Sequence, residues 1–274
     1  MAALAHAQDA KKNPTSKVYV ADTEGDTQID LGTKIDDLTK KAVYDAPGSV
    51  IETKPISNAS VVLSNGTGVY FDVNTRVEVR EFSQEAFRPS RTDIEDEPSV
   101  SRTQLYLDYG VIGISTSKLV PGSTMEFDTS LASAWVRGRQ AVIMAGDTVT
   151  IVSMAQGEAT VKAGPLDTPH LVKDGQQIII RAGRSGAPNN VVVQDIPNGS
   201  EEEAKTWLDE RILTADAARK LVYFEVQARQ GTNGDISLFD GAAAESSKEI
   251  VAVPVVPVNP PIQPTVSAAN LSGP

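Results

Sequence analysis

The side chains that could carry chemistry are few and scattered. There is no cysteine, and the two histidines are His6 and His170. Without cysteine there are no disulfides, thiolate nucleophiles or thiolate zinc sites. A metal site would need carboxylates as its main ligands, and no HExxH or paired-histidine pattern occurs. His170 lies in the proline-flanked stretch LDTPHLVKDG and reads as an exposed loop histidine rather than a general base. Ser115 and Lys118 have the SxxK spacing of serine penicillin-recognising enzymes. That chemistry needs both residues at a helix start, with later SDN and KTG segments. Here the motif follows the strand-like GVIGI and precedes Pro121-Gly122, and neither later segment exists, so the match is coincidental.

Carboxylates are plentiful: Asp72, Glu78, Asp108, Glu126, Asp128, Asp147 and Glu158. A glycosidase needs two of them held roughly 5 to 9 Å apart. Asp72, Asp147 and Glu158 stand at strand ends or beside turn glycines, where turn formation accounts for them. The two tryptophans, Trp135 and Trp207, fit core patterns and leave no platform for a sugar. No phosphate-cradling glycine loop occurs. Asp22, Glu24, Asp26 and Asp30 resemble a calcium loop, but its sixth and twelfth positions would be Thr27 and Thr33, so a solvated acidic segment is the better reading. Arg137 and Arg139 flank Gly138. Two residues apart on one strand, they would share a face and could grip a carboxylate or phosphate. The favoured alternative is two solvated arginines offsetting an acidic surface. The expectation is a chain that is not an enzyme and that uses no cofactor and no metal.

Composition narrows the partners. The 274 residues carry 36 acidic against 25 basic side chains, a formal charge of -11, so a nucleic-acid role has no electrostatic footprint. Aromatics make up 5%, so the core must be built from Val, Ile and Leu, which favours sheets. No stretch approaches the roughly 20 apolar residues of a transmembrane helix. Ala5-His6-Ala7 before Gln8 has the small-x-small form of a signal-peptidase site, although a basic start and a long apolar run are missing. The expectation is an extracytoplasmic chain, periplasmic or secreted, that keeps only the tail of its export signal.

The elements that must position these residues are mostly strands. From Pro47 the stretches SVIETK, SVVLSNGTGVYFD and TRVEVREF alternate with period 2. Asn65-Gly66 predicts a hairpin with a type I′ turn, and Val73-Asn74-Thr75 a second turn. Residues 83–103 read as a long surface excursion. QLYLDYGVIGIST, STMEFDT, SAWVRG, AVIMAG, TVTIVSM, GEATVKA and QQIIIRAG follow, with Gly138, Gly146, Gly157 and Gly175 as turn points. The reading is mainly β: a sandwich or solenoid-like stack of short antiparallel strands, with one or two short C-terminal helices. Ser200, three residues before Glu203, forms a capping box for a helix whose Ala204, Trp207, Leu208 and Ile212 share a face. A second short helix is expected at 214–220 and a strand at LVYFEVQ, 221–227. The division predicted is a leader remnant and polar segment over 1–40, a β domain over 41–182, a strand-helix-strand extension over 183–230 and a flexible tail over 231–274. The tail has PxxP spacing, such as Pro254 to Pro257.

The order of the modules resembles the FecR-type extracytoplasmic domain. SVIETKPISNASVVLSNGTGVYFDVNTRVEV is similar to its strand pair with a Ser-Asn-Gly turn, and LYLDYGVIGIS to its glycine-divided strands. STMEFDTSLASAWVRGRQAVI, TVTIVSMAQGEATV and LVKDGQQIII resemble the modules that follow, over about half the chain. The family's common Gly-Thr is Gly138-Arg139 here. The resemblance implies a stand-alone exported module that lacks the anti-sigma segment and membrane helix of the regulators. It would act by protein contact with an envelope partner, in sensing or scaffolding, and has no catalytic residue to carry over. A polysaccharide- or ligand-binding module is the alternative, and a carboxylate glycosidase a remote second.

Overall fold

Alternation in the sequence becomes strand almost wherever it occurs. The computed structural model describes residues 15–87, 95–184, 187–197 and 202–233, with the helix side chains described over 206–222. The signal-like start, the middle of the excursion, the Ser200 cap and the proline-rich tail lie outside the described residues. In chain order the strands are β1 (Lys17–Glu24), β2 (Thr27–Asp30), β3 (Ile35–Asp37), β4 (Val43–Asp45), β5 (Val50–Thr53), β6 (Asn58–Leu63), β7 (Gly68–Phe71) and β8 (Thr75–Gln84). Then come β9 (Ser101–Ser115), β10 (Thr124–Asp128), β11 (Ser133–Ala145), β12 (Val149–Lys162), β13 (His170–Val172), β14 (Gln176–Arg181), β15 (Asn190–Asp195) and the helix α1 (Glu202–Asn233).

The β-rich class is the one expected, but its strands are not all short. β9, β11 and β12 have 15, 13 and 14 residues and change partners part-way. The first half of β9 lies between β8 and β10, and beyond Gly110 its second half lies between β7 and β11. These shared strands join two layers. One is built on β8, β10 and β13, with β5, β2 and β3 continuing it. The other runs through β14, β12, β11, β9, β7, β6, β1 and β4. One core lies between them, from Val18 and Val61 through Phe82, Leu105 and Phe127 to Ile143 and Ile178. All strand pairs are antiparallel except β9–β10, which is parallel.

Gly138 and Gly157 are not turns. They sit opposite each other in the middle of β11 and β12, where the register shifts. Gly157 has φ +105°, and a Cβ there would overlap the Cα of Gly138. The two glycines let adjoining long strands bend together, as a bulge does. Gly146 does turn the chain, donating to Val149 O at 2.9 Å. Gly175 closes the β13–β14 turn and bonds Met154 O at 2.8 Å. The Asn65-Gly66 hairpin joins β6 to β7, but the loop has three residues, Ser64, Asn65 and Gly66. Leu63 N bonds Thr67 O, and Gly66 N bonds Leu63 O, both at 2.8 Å. Of the two predicted positive-φ residues only Gly66 has one, at 88°. This is a type I turn with a glycine bulge, not a type I′ turn. The Asn65 side chain turns inward instead, donating to Ser101 Oγ at 3.0 Å and accepting from Thr67 N.

The β structure begins at Lys17 rather than near residue 41. β1 pairs with β6 and β4, and Val18, Tyr19, Val20 and Ala21 are all buried. In β6, Ala59 to Leu63 are likewise buried in succession. Strands buried on both faces show continuous apolar runs, because something covers the side away from the core. That cover is α1, a single helix of 32 residues rather than one or two short ones. It runs through 221–227, where a strand was expected. No proline or glycine interrupts residues 202–230, and helix already docked outweighs the β preference of Val222, Tyr223 and Phe224.

Candidate functional site

The helix reaches the sheet through a polar seam as well as through apolar contacts. Leu208 and Ile212 pack on Val142, and Ala218 and Val222 pack on Tyr19, Ala21 and Val62. Between these patches the backbones nearly touch. A Cβ on Gly68 would lie on the Ala215 carbonyl and 2.7 Å from Arg219 Cγ, and one on Gly113 would lie 2.7 Å from the Arg211 carbonyl carbon. Arg219 is buried here. It donates to Gly66 O at 2.8 Å, Ser117 Oγ at 3.1 Å and Ser115 Oγ at 3.3 Å. The Ser115 hydroxyl donates to Asp216 at 3.0 Å. Burial opposes ionisation of Asp216, but Lys220, Ser115 and Arg219 outweigh it and hold the carboxyl below its ordinary value. Arg211 grips Asp72 through Nε at 2.8 Å and stacks on Trp207, 3.8 Å from its ring centre. A charge this deep is tolerated only when paired and hydrogen-bonded, so the seam fixes how the helix sits.

These contacts account for several sequence candidates. Ser115 belongs to the seam and Lys118 is exposed, so the SxxK spacing builds nothing. Asp72 holds the helix as well as its turn, where it accepts from Val73 N at 2.9 Å. His170 is part-buried against Asp167 at 3.1 Å, and the Ala163 backbone N–H and His170 keep the Asp167 carboxyl below its usual value. Among the described residues no group of three or more His, Cys, Asp or Glu side chains could hold a metal ion, the Asp22–Asp30 acidic segment included. Arg137 and Arg139 are not an equivalent pair. The register shift falls between Gly138 and Gln140; Arg139 pairs with Glu95, while Arg137 is exposed opposite Glu158.

The outward face of the β8–β13 layer holds a more organised group. Glu126 and Asp128 alternate on one face of β10. Asp128 is buried, takes a hydrogen bond from Gln104 Nε2 at 2.7 Å and another from Ser133 Oγ, and has Arg80 3.6 Å away. Arg80 in turn stacks on Tyr106 at 3.8 Å. Burial and the neighbouring Asp128 push the Glu126 carboxyl up, while the polar edge of the Trp135 indole pulls the other way. Trp135 is not a core residue; it is 38% exposed.

The last strand is open on one side. β15 pairs with β14 along all six residues, and no described strand pairs its other edge. Val192 and Val193 are both exposed, although alternation puts them on opposite faces.

Known proteins offer little to set beside this geometry. No protein family matches the chain, and no curated protein matches it. Two crystal structures, at 2.50 and 1.65 Å, of "a putative anti-sigma factor from Parabacteroides distasonis" share 16% identity with it at a TM-score of 0.41. The likeness covers 58% of this chain and 63% and 64% of theirs, less than two thirds of their length. At that level it carries no argument about function. Among the described residues no helix is long and apolar enough to cross a membrane.

The seam was missed by sequence reasoning, because Arg211, Asp216 and Arg219 look like solvent-facing helix charges. The available signal was the pair Gly68 and Gly113, strand glycines of the kind that admit a close backbone.

Proposed function

We propose that this chain is a non-enzymatic, extracytoplasmic β module that works by protein–protein contact in envelope sensing or scaffolding. The open edge of β15 carries the reading. The strands at the other margins, β3, β4 and β13, have three residues each, too few to offer much pairing. β15 offers six residues, NVVVQD, with one charge and an apolar centre. An exposed apolar edge invites pairing and is normally blunted by lysine, proline or a bulge. β15 has none of these, and a partner strand added there would gain a full ladder of main-chain hydrogen bonds. The FecR-type order of modules agrees with a contact role and supplies no catalytic group.

The test is the double variant Val192→Lys/Val193→Lys, which places a charge on each face of the edge. In native envelope, chemical cross-linking of the wild-type chain should yield a discrete higher-mass species that the variant loses, with thermal unfolding unchanged. An identical cross-linking pattern for both chains would count against the reading.

A further inference from the structure

The outward face around Trp135 lies towards the other end of β12 from the stretch that pairs with β14, and asks for a different ligand from the β15 edge. Strand register sets Gln104, Glu126, Trp135, Thr160 and Leu171 in one row across five neighbouring strands. At about 4.8 Å per strand the row spans roughly 19 Å of open sheet. The chain has two tryptophans; Trp207 is stacked on Arg211, whereas Trp135 keeps 38% of its surface in water and Leu171 keeps 48%. Large apolar surface left out in a row is informative where a lone exposed residue is not. The strand is also braced beside the indole, since the Gln104–Asp128–Ser133 bonds fix the next register position.

The groups around the indole carry both signs. Glu126 lies on one side, Arg137 follows two residues along the strand, and Glu158 stands opposite Arg137. A basic segment would meet Arg137 and an acidic one would meet Glu126 and Glu158. A ligand with uncharged groups that both donate and accept, and with a flat C–H face for the ring, suits them all. A pyranose has both properties, and an open, level row suits a chain of them better than a single ring.

We propose that Trp135, flanked by Glu126, Arg137, Glu158 and Thr160, is the stacking platform of a binding face for an uncharged polysaccharide. The proposal is independent of the β15 edge, which none of its variants touches. The test uses the full chain, with cellopentaose, maltopentaose and chitopentaose as probes, followed by the Trp135 indole N–H resonance and by calorimetry. At least one probe should shift that resonance saturably. Trp135→Ala should weaken its binding about tenfold or more, a loss of about 1.4 kcal/mol, while Trp207→Phe leaves it within about twofold. No shift with any of the three probes overturns the proposal, as does binding that survives Trp135→Ala undiminished. A photo-crosslinker at Thr160 that captures a protein while no probe binds overturns it in favour of a second protein interface.

Discussion

Replacing Gly68 by alanine should lift α1 from the sheet. Gly68 does not have a positive φ, so alanine adds no backbone strain there, and the test is purely of space. The new Cβ would lie 2.7 Å from Arg219 Cγ and closer still to the Ala215 carbonyl. Unstrained contacts of carbon need about 3.5 to 4.0 Å, so the helix must retreat by about 1 Å. Neither backbone can give way locally, because one is hydrogen-bonded into β6–β7 and the other into the helix. A retreat of that size breaks the bonds from Arg219 to Gly66 O at 2.8 Å and from Ser115 to Asp216 at 3.0 Å. Overpacking costs about 1–3 kcal/mol, and a hydrogen bond to a charged group is worth about 1.5–3 kcal/mol, partly recovered from water. Urea unfolding should therefore show a loss of about 3 kcal/mol. Gly146→Ala is the control: it also lacks a positive φ, and its new Cβ meets nothing nearer than 3.9 Å, so its cost should stay within about 0.5 kcal/mol. A loss below about 1 kcal/mol for Gly68→Ala would refute the close-approach argument.

Ile56 is 91% exposed and has φ +61°, in a Lys54-Pro55-Ile56-Ser57 turn. A type II turn wants Gly or Asn at that position, so Ile56→Asn should stabilise the fold by about 1 kcal/mol in the same assay; a loss would contradict this. Asp216 titrates below its ordinary value, so it stabilises the fold above the unfolded-state value of 3.8, and that contribution is lost as pH falls through the lower folded value. The stability gap between wild type and Asp216→Asn should narrow below that pH, and a gap that widens on acidification would be the wrong sign. Glu126 is shifted the other way. Its contribution is whole below 4.5 and is lost as pH rises through the folded value, so Glu126→Gln should be more stable than wild type at pH 7. Urea midpoints at pH 4 and 7 would show whether the difference appears only at the higher pH.

Period-2 alternation made the β-rich class legible, because most strands bury one face. The rule failed where both faces are buried. VYVA in β1 falls in a segment expected to be polar, and VVL in β6 reads as an alternating strand although all three residues are buried, since nothing local announces that a helix far along the chain covers them. β1 was also masked by Asp22 and Glu24, charges at the strand's exposed end. Gly138 and Gly157 read as turns, yet they are a mid-strand bend, and nothing nearby marks Gly68 and Gly113 as clearance for α1. Each use needs the same residue, and only the partner distinguishes them. Trp135 illustrates the remaining ambiguity: alternation fixes that it faces with Ser133 and Arg137, but which of the two faces meets water depends on the opposite layer. Arg139 was expected beside Arg137, and the bulge after Gly138 separates their roles.

The central claim is that the β15 edge is where a protein partner binds. The direct measurement is a photo-reactive amino acid at position 192, compared with one at exposed position 56, irradiated in the native envelope and read by mass spectrometry. The account predicts one defined protein adduct from 192, with cross-linked residues in an extended segment of the partner, and none of it from 56. An adduct equally abundant from both positions, or none from 192, would contradict it.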